Sequence, residues 1–269
     1  AQEKRFTNGP PTHGASMPSI SKTFIASLLS GLIVTGCGGS AGGGPGTASS
    51  DAAITFPLSK ALANLYAGGF QKTLTVSGTA TSISNGTSYT FTAPLDVTGT
   101  PAYAGFTFEN QVALQTKVSL TGTFNINNAN DSFSSISQSF LSPNDLLLGI
   151  SALSYCVATP PSQYPVTITI GQAQSVVTYD CFEDSTKASP TGTAKVSFLV
   201  SAGNSPSTAT FSTLETFTNT IGKQTQFTQK SFLIDTSGNI SFQSLSFMGF
   251  LTSNTGGTAS DIQLNFKSL

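Results

Sequence analysis

The chain has 269 residues, which is enough for one large all-β domain or two small ones and for a core that needs no metal. Charged residues make up only 9% of the sequence, and Phe occurs 20 times while Trp is absent. This composition suits half-buried β-strands better than helices. The formal net charge of -1 gives no basic surplus of the kind that nucleic-acid-binding proteins carry.

The first 36 residues are expected to be a targeting region. Met17 and Met248 are the only methionines, so Met17 is the expected initiator and residues 1–16 the expected upstream leader. The single histidine, His13, and the single arginine, Arg5, both lie in that leader. A protein that begins at Met17 would contain neither residue type.

Residues 17–36 have the layout of a secretory signal peptide. Lys22 precedes an apolar run that extends from Phe24 to Thr35, and the small residue Gly36 follows it. The run is about a dozen residues long, whereas a membrane-spanning helix needs roughly 20. We therefore expect this segment to be removed after export instead of remaining as a transmembrane helix.

The last four residues of this region, Val34-Thr35-Gly36-Cys37, resemble the lipobox of bacterial lipoproteins. The resemblance implies cleavage before Cys37 by signal peptidase II, diacylglycerol on the Cys37 thiol, and acylation of the new amino group. Several acyl chains make a lasting anchor, because each buried methylene contributes about 0.8 kcal/mol. In such lipoproteins an aspartate after the cysteine often causes retention at the inner membrane; Gly38 stands there, which favours the outer membrane.

Residues 37–50 read as a flexible tether because they are rich in Gly and Ser and offer few side chains to pack. Residues 51–269 are expected to form a single β-rich domain. This domain should begin with one short helix, since Pro57 is suited to a first turn and Gly68-Gly69 should end it. The apolar face of that helix is made by Leu58, Ala61, Leu62, Leu65 and Tyr66.

From Thr73 onward the apolar residues recur with a period of two, which predicts β-strands. The sets are Leu74 and Val76; Val118, Leu120, Phe124 and Ile126; Val196, Phe198 and Val200; and Ile262, Leu264 and Phe266. Polar residues occupy the alternate positions, as in antiparallel strands with one face in water. In ISFQSLSF the period slips after Phe242, which predicts a bulge near Gln243 or Ser244.

Turn residues divide the chain into about ten strands. They occur at Asn85-Gly86, Asn144-Asp145, Asn204-Ser205-Pro206, Ser237-Gly238-Asn239 and Gly256-Gly257. The predicted fold is therefore all-β, either an antiparallel sandwich or a curled, barrel-like sheet.

Two cysteines remain beyond Cys37, namely Cys156 and Cys181. An even pair in an exported protein predicts one structural disulfide. The alternative is a redox or metal-binding pair. It is disfavoured because there is no Cys-x-x-Cys motif and no histidine beyond residue 13 to complete a zinc site.

The sequence after Cys37 offers little catalytic chemistry. Without histidine it forms neither a Ser-His-Asp triad nor a histidine-ligated metal site. Asp180, Glu183 and Asp184 cluster in sequence, which leaves calcium binding or carboxylate catalysis as alternatives to a solvated strand end and turn. The polar loop Asn125–Ser132 departs from a calcium loop at Ala129 and Ile136 and is expected to be a hairpin connection.

The preferred hypothesis is a lipid-anchored protein of the bacterial cell envelope with a non-enzymatic structural or interaction role and no cofactor or metal. Its expected partners are the membrane and an envelope protein, glycan or lipid. Nucleic acid is not expected, because eight lysines face eleven acidic residues after Cys37. The alternatives are a periplasmic carrier with an apolar ligand in a β-cavity and a carboxylate-based glycan hydrolase.

Overall fold

The computed structural model describes residues 54–269 except 127–128, 153 and 254–259. The expected leader, signal peptide, lipidation site at Cys37 and tether therefore lie outside the described residues. The same is true of the domain boundary at residue 51 and of the turn at Gly256-Gly257.

The described chain consists of one helix and fifteen strands, more strands than the ten or so that the turn signals predict. The helix is α1 (Leu58–Gly68). The strands are β1 (Thr55–Phe56), β2 (Phe70–Ser82), β3 (Ser88–Gly99), β4 (Tyr103–Phe108), β5 (Gln111–Ile126), β6 (Ala129–Leu141), β7 (Leu147–Ser151), β8 (Tyr155–Ser162), β9 (Ile168–Thr169), β10 (Ala173–Phe182), β11 (Pro190–Ala202), β12 (Thr208–Asn219), β13 (Gln224–Asp235), β14 (Ile240–Ser253) and β15 (Ser260–Ser268).

Thirteen of these strands form one antiparallel sheet that curls into a ring. Their order is β3-β2-β15-β14-β13-β12-β11-β10-β8-β7-β6-β5-β4, and an additional pairing joins β3 to β5. The sheet is ring-like but is not a barrel. The all-β class and the curled sheet are thus confirmed, and the sandwich is not formed. The short strands β1 and β9 pair with each other outside this sheet.

Helix α1 lies at the end of the ring where β2 begins and β13 turns into β14. It follows Pro57, and it ends where Gly69 adopts a φ of 64° and donates its N–H to the carbonyl of Leu65. Leu58, Ala61 and Leu62 are buried, as their spacing predicts. The Asn64 side chain donates to the Gly238 carbonyl in the β13–β14 turn, which fixes the helix to this end of the sheet.

The core fills the inner face of the curled sheet. The buried residues on β2, β11 and β15 alternate with outward polar ones, and Leu74, Val76, Phe198, Val200 and Leu264 are all buried. This confirms the period-two prediction for those strands. Most of the Phe residues meet in this core, where rings from neighbouring and facing strands contact one another.

The predicted bulge is present in β14. Ser231 pairs with Ser244 while Phe232 pairs with Phe242, so Gln243 is the extra residue. The shift keeps apolar residues on the inner face on both sides of the bulge. Lys72 supports it, since its Nζ donates to the carbonyls of Phe242 at 3.1 Å and Gln243 at 3.2 Å.

Two glycines should respond oppositely to alanine. A Cβ at Gly78 in β2 would overlap the Asn265 carbonyl oxygen and lie 2.6 Å from the Cβ of Phe266, whereas a Cβ at Gly68 in α1 meets nothing within 4 Å. We expect Gly78→Ala to lower the free energy of unfolding by about 1–3 kcal/mol. Gly68→Ala should leave it unchanged or raise it by up to about 1 kcal/mol. Urea denaturation of both variants tests this, and equal stability of the two would contradict the packing of β2 against β15.

Candidate functional site

The candidate site is a hollow of about 120 Å³ inside the ring, beneath α1. One wall comes from β5, β6 and β7, and the facing wall comes from β10 to β13. Apolar residues line much of it, and ten polar residues line the rest. They are Tyr66 from α1, Tyr164 from the loop after β8, Tyr179 from β10, Glu215 from β12 and Lys230 from β13, together with Thr100, Thr116, Lys117, Ser139 and Thr213.

The alternation of β12 places Glu215 in the interior. Phe211 is buried in the core, and Phe217 is packed against it. Glu215 is an even number of residues from both, so its side chain lies on the same face of the strand. On the neighbouring strand, Lys230 lies directly opposite Thr213 and therefore faces inward too. Neither Glu215 nor Lys230 was predicted as a site residue from the sequence. The spacing of Glu215 from Phe211 and Phe217 does indicate that it faces inward.

Tyr179 is 1% exposed, yet its hydroxyl makes no hydrogen bond to any residue in the described part of the chain. Burial is the main reason that its pKa is raised, and the negative charge of Glu215 adds to the effect. The pKa of Tyr164 is raised by the same two causes, together with its tyrosine neighbours. These hydroxyls stay protonated at any physiological pH and are donors that face the hollow.

Two further spaces adjoin this hollow. One, of about 70 Å³, shares Leu62, Tyr66 and Tyr164 with it and extends to the exposed Asp145. The other, of about 120 Å³, shares Ile150 and Glu215 with it and lies toward the opposite end of the ring, next to Phe217. Glu215 therefore stands between two interior hollows. The space beside Tyr66 and Tyr164 lies between the hollow beneath α1 and Asp145 at the surface.

No family model, curated protein or solved structure matches this chain. Its chemistry therefore has to be argued from its own residues. Within the described residues, no helix has the length and apolar character needed to cross a membrane. That part of the chain also shows no group of three or more His, Cys, Asp or Glu side chains placed to hold a metal ion.

The predicted acidic cluster lies away from the hollow. Asp180 is exposed on β10 and accepts a hydrogen bond from the Thr159 hydroxyl at 2.9 Å. Glu183 and Asp184 are exposed at the start of the β10–β11 turn, where the hydroxyl and N–H of Thr186 donate to Asp184 and lower the pKa of its carboxyl. Asp184 makes local turn contacts and Asp180 a cross-strand contact, and all three side chains are exposed, as in a solvated strand end and turn.

The predicted hairpin between Asn125 and Ser132 is present, since β5 and β6 pair up to Ile126 and Ala129. The predicted disulfide is also present. Cys156 on β8 and Cys181 on β10 are directly opposite each other, with their Cα atoms 4.0 Å apart, and their sulfurs are bonded. Both cysteines are buried, so the bridge belongs to the core.

An acidic side chain on the outside of the ring is more strongly engaged than those of the predicted cluster. Glu109, in the β4–β5 turn, accepts a hydrogen bond from the Tyr155 hydroxyl at 2.7 Å and forms an ion pair with Lys187. The next residue inward, Phe108, stacks on Phe140 with ring centroids 4.4 Å apart. The three polar side chains therefore hold the β4–β5 hairpin against the outer face of the sheet. No local sequence pattern predicts this contact, because Glu109 and Lys187 are 78 positions apart.

The contacts of Glu109 with Tyr155 and Lys187, here called the clamp, should stabilise the fold in a pH-dependent way. The hydrogen bond from Lys187 is the main reason that the pKa of Glu109 is lowered. Because the folded-state pKa is depressed, the stabilisation is present above the unfolded pKa of about 4.3 and is lost as pH falls through the folded value. Since both side chains are partly exposed, we expect Glu109→Gln to cost at most about 1 kcal/mol near neutral pH.

Urea denaturation near neutral pH and again well below the carboxyl pKa tests the clamp. The difference between Glu109→Gln and the unmodified protein should disappear in acid. Glu183→Gln, which changes an exposed carboxylate in the β10–β11 turn, is the matched control and should show no comparable loss. A Glu109→Gln penalty that persists in acid would mean that packing, not charge, holds the hairpin.

Proposed function

We propose that this protein is a lipid-anchored protein of the bacterial cell envelope whose folded part acts by binding, without catalysing a reaction. The anchor is supported by the signal-peptide layout of residues 17–36 and by the lipobox-like Val34-Thr35-Gly36-Cys37. The Gly-rich residues 37–50 would then tether the folded part to the lipid. Gly38 favours the outer membrane by analogy with lipoproteins of this type.

The binding role is supported mainly by the filled interior of the ring. Phe198 and Phe211 have ring centroids 5.6 Å apart in a tilted arrangement, and Phe232 lies 5.5 Å from Phe242 edge to face, so rings on neighbouring strands pack closely in the core. Pockets for drug-sized apolar ligands have volumes of roughly 300–1,000 Å³. Each interior hollow, at about 120 Å³, is smaller. A rigid module with a packed core therefore fits better than a lipid carrier.

The outer surface supports an interaction role. On the β4–β5 hairpin, Tyr103 and Val112 are 59% and 67% exposed, and Phe106 is 38% exposed. Within the described residues, β4 pairs with β5 alone, so its second edge offers unpaired backbone groups. Exposed apolar side chains beside an open strand edge are typical of surfaces that contact another protein.

Metabolic labelling with an alkyne analogue of palmitate tests the anchor. A chain expressed in bacteria from Met17 should incorporate the label and fractionate with membranes, while Cys37→Ser should do neither. Gly38→Asp should still be labelled but should move toward the inner-membrane fraction. Release of an unlabelled, soluble protein from the unmodified chain would contradict the proposed anchor.

Mass spectrometry of organic extracts from the purified protein separates the binding module from the apolar carrier. We expect no lipid beyond that covalently attached at Cys37. One equivalent of non-covalent lipid that survives purification would favour the carrier, because the core would then have to open to a larger cavity than the structure contains.

A further inference from the structure

Two opposite charges face the same hollow without pairing. Glu215 lies opposite Thr228 and Lys230 lies opposite Thr213, so the two are diagonal neighbours on the inner face. Diagonal neighbours in an antiparallel ladder have Cα atoms about 7–8 Å apart. Neither side chain has a hydrogen bond or ion pair to another residue that the structure describes. Burying a charge without a partner costs free energy, so a ligand group of opposite charge would stabilise each of these side chains.

Part of the wall of the hollow is aromatic. Tyr164 and Phe211 meet edge to face with centroids 5.7 Å apart, and Phe232 lies 6.5 Å from Phe211. All three line the hollow. Aromatic faces attract ammonium groups through the ring quadrupole, most strongly where water is excluded. Glu215 lines the same hollow and its charge acts on Tyr164, so a carboxylate and an aromatic ring are both available to an organic cation.

Hydrogen-bond donors complete the lining. The Tyr179 side chain is 1% exposed and lines the hollow, and it has no hydrogen bond to another described residue. The ammonium of Lys230 brings a positive charge from the adjacent wall. These groups complement a negatively charged or strongly polar end of a ligand.

We propose that this hollow binds a small zwitterion, a molecule that carries an ammonium and a carboxylate a few bonds apart. The ammonium lies beside Glu215 and the ring of Tyr164, and the carboxylate accepts from Lys230. A volume of about 120 Å³ admits a molecule of this size, since an engineered cavity of about 150 Å³ holds benzene. Entry is through the space beside Tyr66, which extends to the surface at Asp145. The inference depends on the folded ring and not on the lipid anchor.

Isothermal titration calorimetry on the full chain tests the proposal with probes of matched shape. Glycine betaine carries both charges, 3,3-dimethylbutanoate replaces its trimethylammonium with a neutral tert-butyl group, and choline replaces its carboxylate with a neutral hydroxymethyl group. Glycine and β-alanine extend the zwitterion series. We expect at least one zwitterion of the series to bind. If glycine betaine binds, its affinity should be at least about tenfold higher than that of either single-charge analogue.

Charge-removing variants identify the two ends of the site. Glu215→Gln should weaken zwitterion and choline binding by about tenfold and leave the butanoate unaffected, whereas Lys230→Met should weaken the zwitterion and the butanoate but not choline. Lys195→Met removes an exposed charge from β11 and should change nothing. Thermal unfolding confirms that each variant is folded.

Two results would overturn the proposal. One is that no zwitterion in the series binds at concentrations up to roughly 10 mM. That result would mean that the hollow holds only water. The other is binding that both charge-removing variants leave unchanged, which would place the ligand elsewhere. Neither result bears on the lipid anchor, which palmitate labelling tests separately.

Discussion

Replacing Phe211 with alanine should lower the free energy of unfolding by about 3–5 kcal/mol. Phe211 is completely buried on β12, and its ring contacts those of Tyr164, Phe198 and Phe232 at centroid distances of 5.7, 5.6 and 6.5 Å. Removing it leaves a cavity at the centre of the aromatic core, and the rigid ring of strands can close that cavity only in part. The midpoint of urea denaturation should fall while the slope stays the same.

Phe106→Ala is the matched control for this change. Phe106 is the same residue type but is 38% exposed on β4, so its truncation removes little buried area and should cost about 1 kcal/mol or less. If the two variants lost equal stability, the aromatic cluster around Phe211 would not be the core of the fold.

Removal of the disulfide should have an effect of similar size. The bridge joins residues 25 positions apart, and closing a loop of that length stabilises the folded state by roughly 3.5 kcal/mol in the chain-entropy model. We expect the double variant Cys156→Ala with Cys181→Ala to lose about this amount. Alanine is preferred to serine because both positions are buried among apolar residues.

Reductant separates the bridge from the packing of the two side chains. Unfolding of the unmodified protein should become easier in reductant, whereas the double variant should be insensitive to it. Cys37→Ala is the matched cysteine control and should keep the full sensitivity. Titration of two free thiols at Cys156 and Cys181 in the oxidised protein would contradict the bridge.

Local patterns were sufficient to predict several elements of this fold. The spacing of its apolar residues and the glycines that end it predict the helix at Leu58–Gly68. The bulge at Gln243 could be predicted because a one-residue slip moves the apolar set to the other register, and the inner face has to remain apolar. The disulfide followed from the pairing of the only two cysteines after Cys37.

The strand pairing that forms the ring could not be predicted from the sequence pattern. The pairing of β3 with β5 joins Leu95–Gly99 to Val118–Gly122 across an intervening strand, and no local period encodes which strands become neighbours. The number of strands was underestimated because tight turns such as Glu109-Asn110 lack the glycine or proline signals on which the division relied.

The interior polar groups were missed for a related reason. Glu215 and Lys230 look like outward residues if polar side chains are assumed to face water. Only the phase of β12, in which Glu215 lies between Phe211 and Phe217 on one face, shows otherwise. Tyr66, Tyr164 and Tyr179 come from three separate elements, so their convergence on one hollow is a tertiary property.

The intact mass of the protein, extracted from bacterial membranes with detergent, tests the proposed anchoring most directly. A polypeptide that begins at Cys37 and carries the added mass of a diacylglycerol and an amide-linked acyl chain is the predicted result. A polypeptide that retains residues 17–36, or one whose Cys37 carries no lipid, would contradict the account.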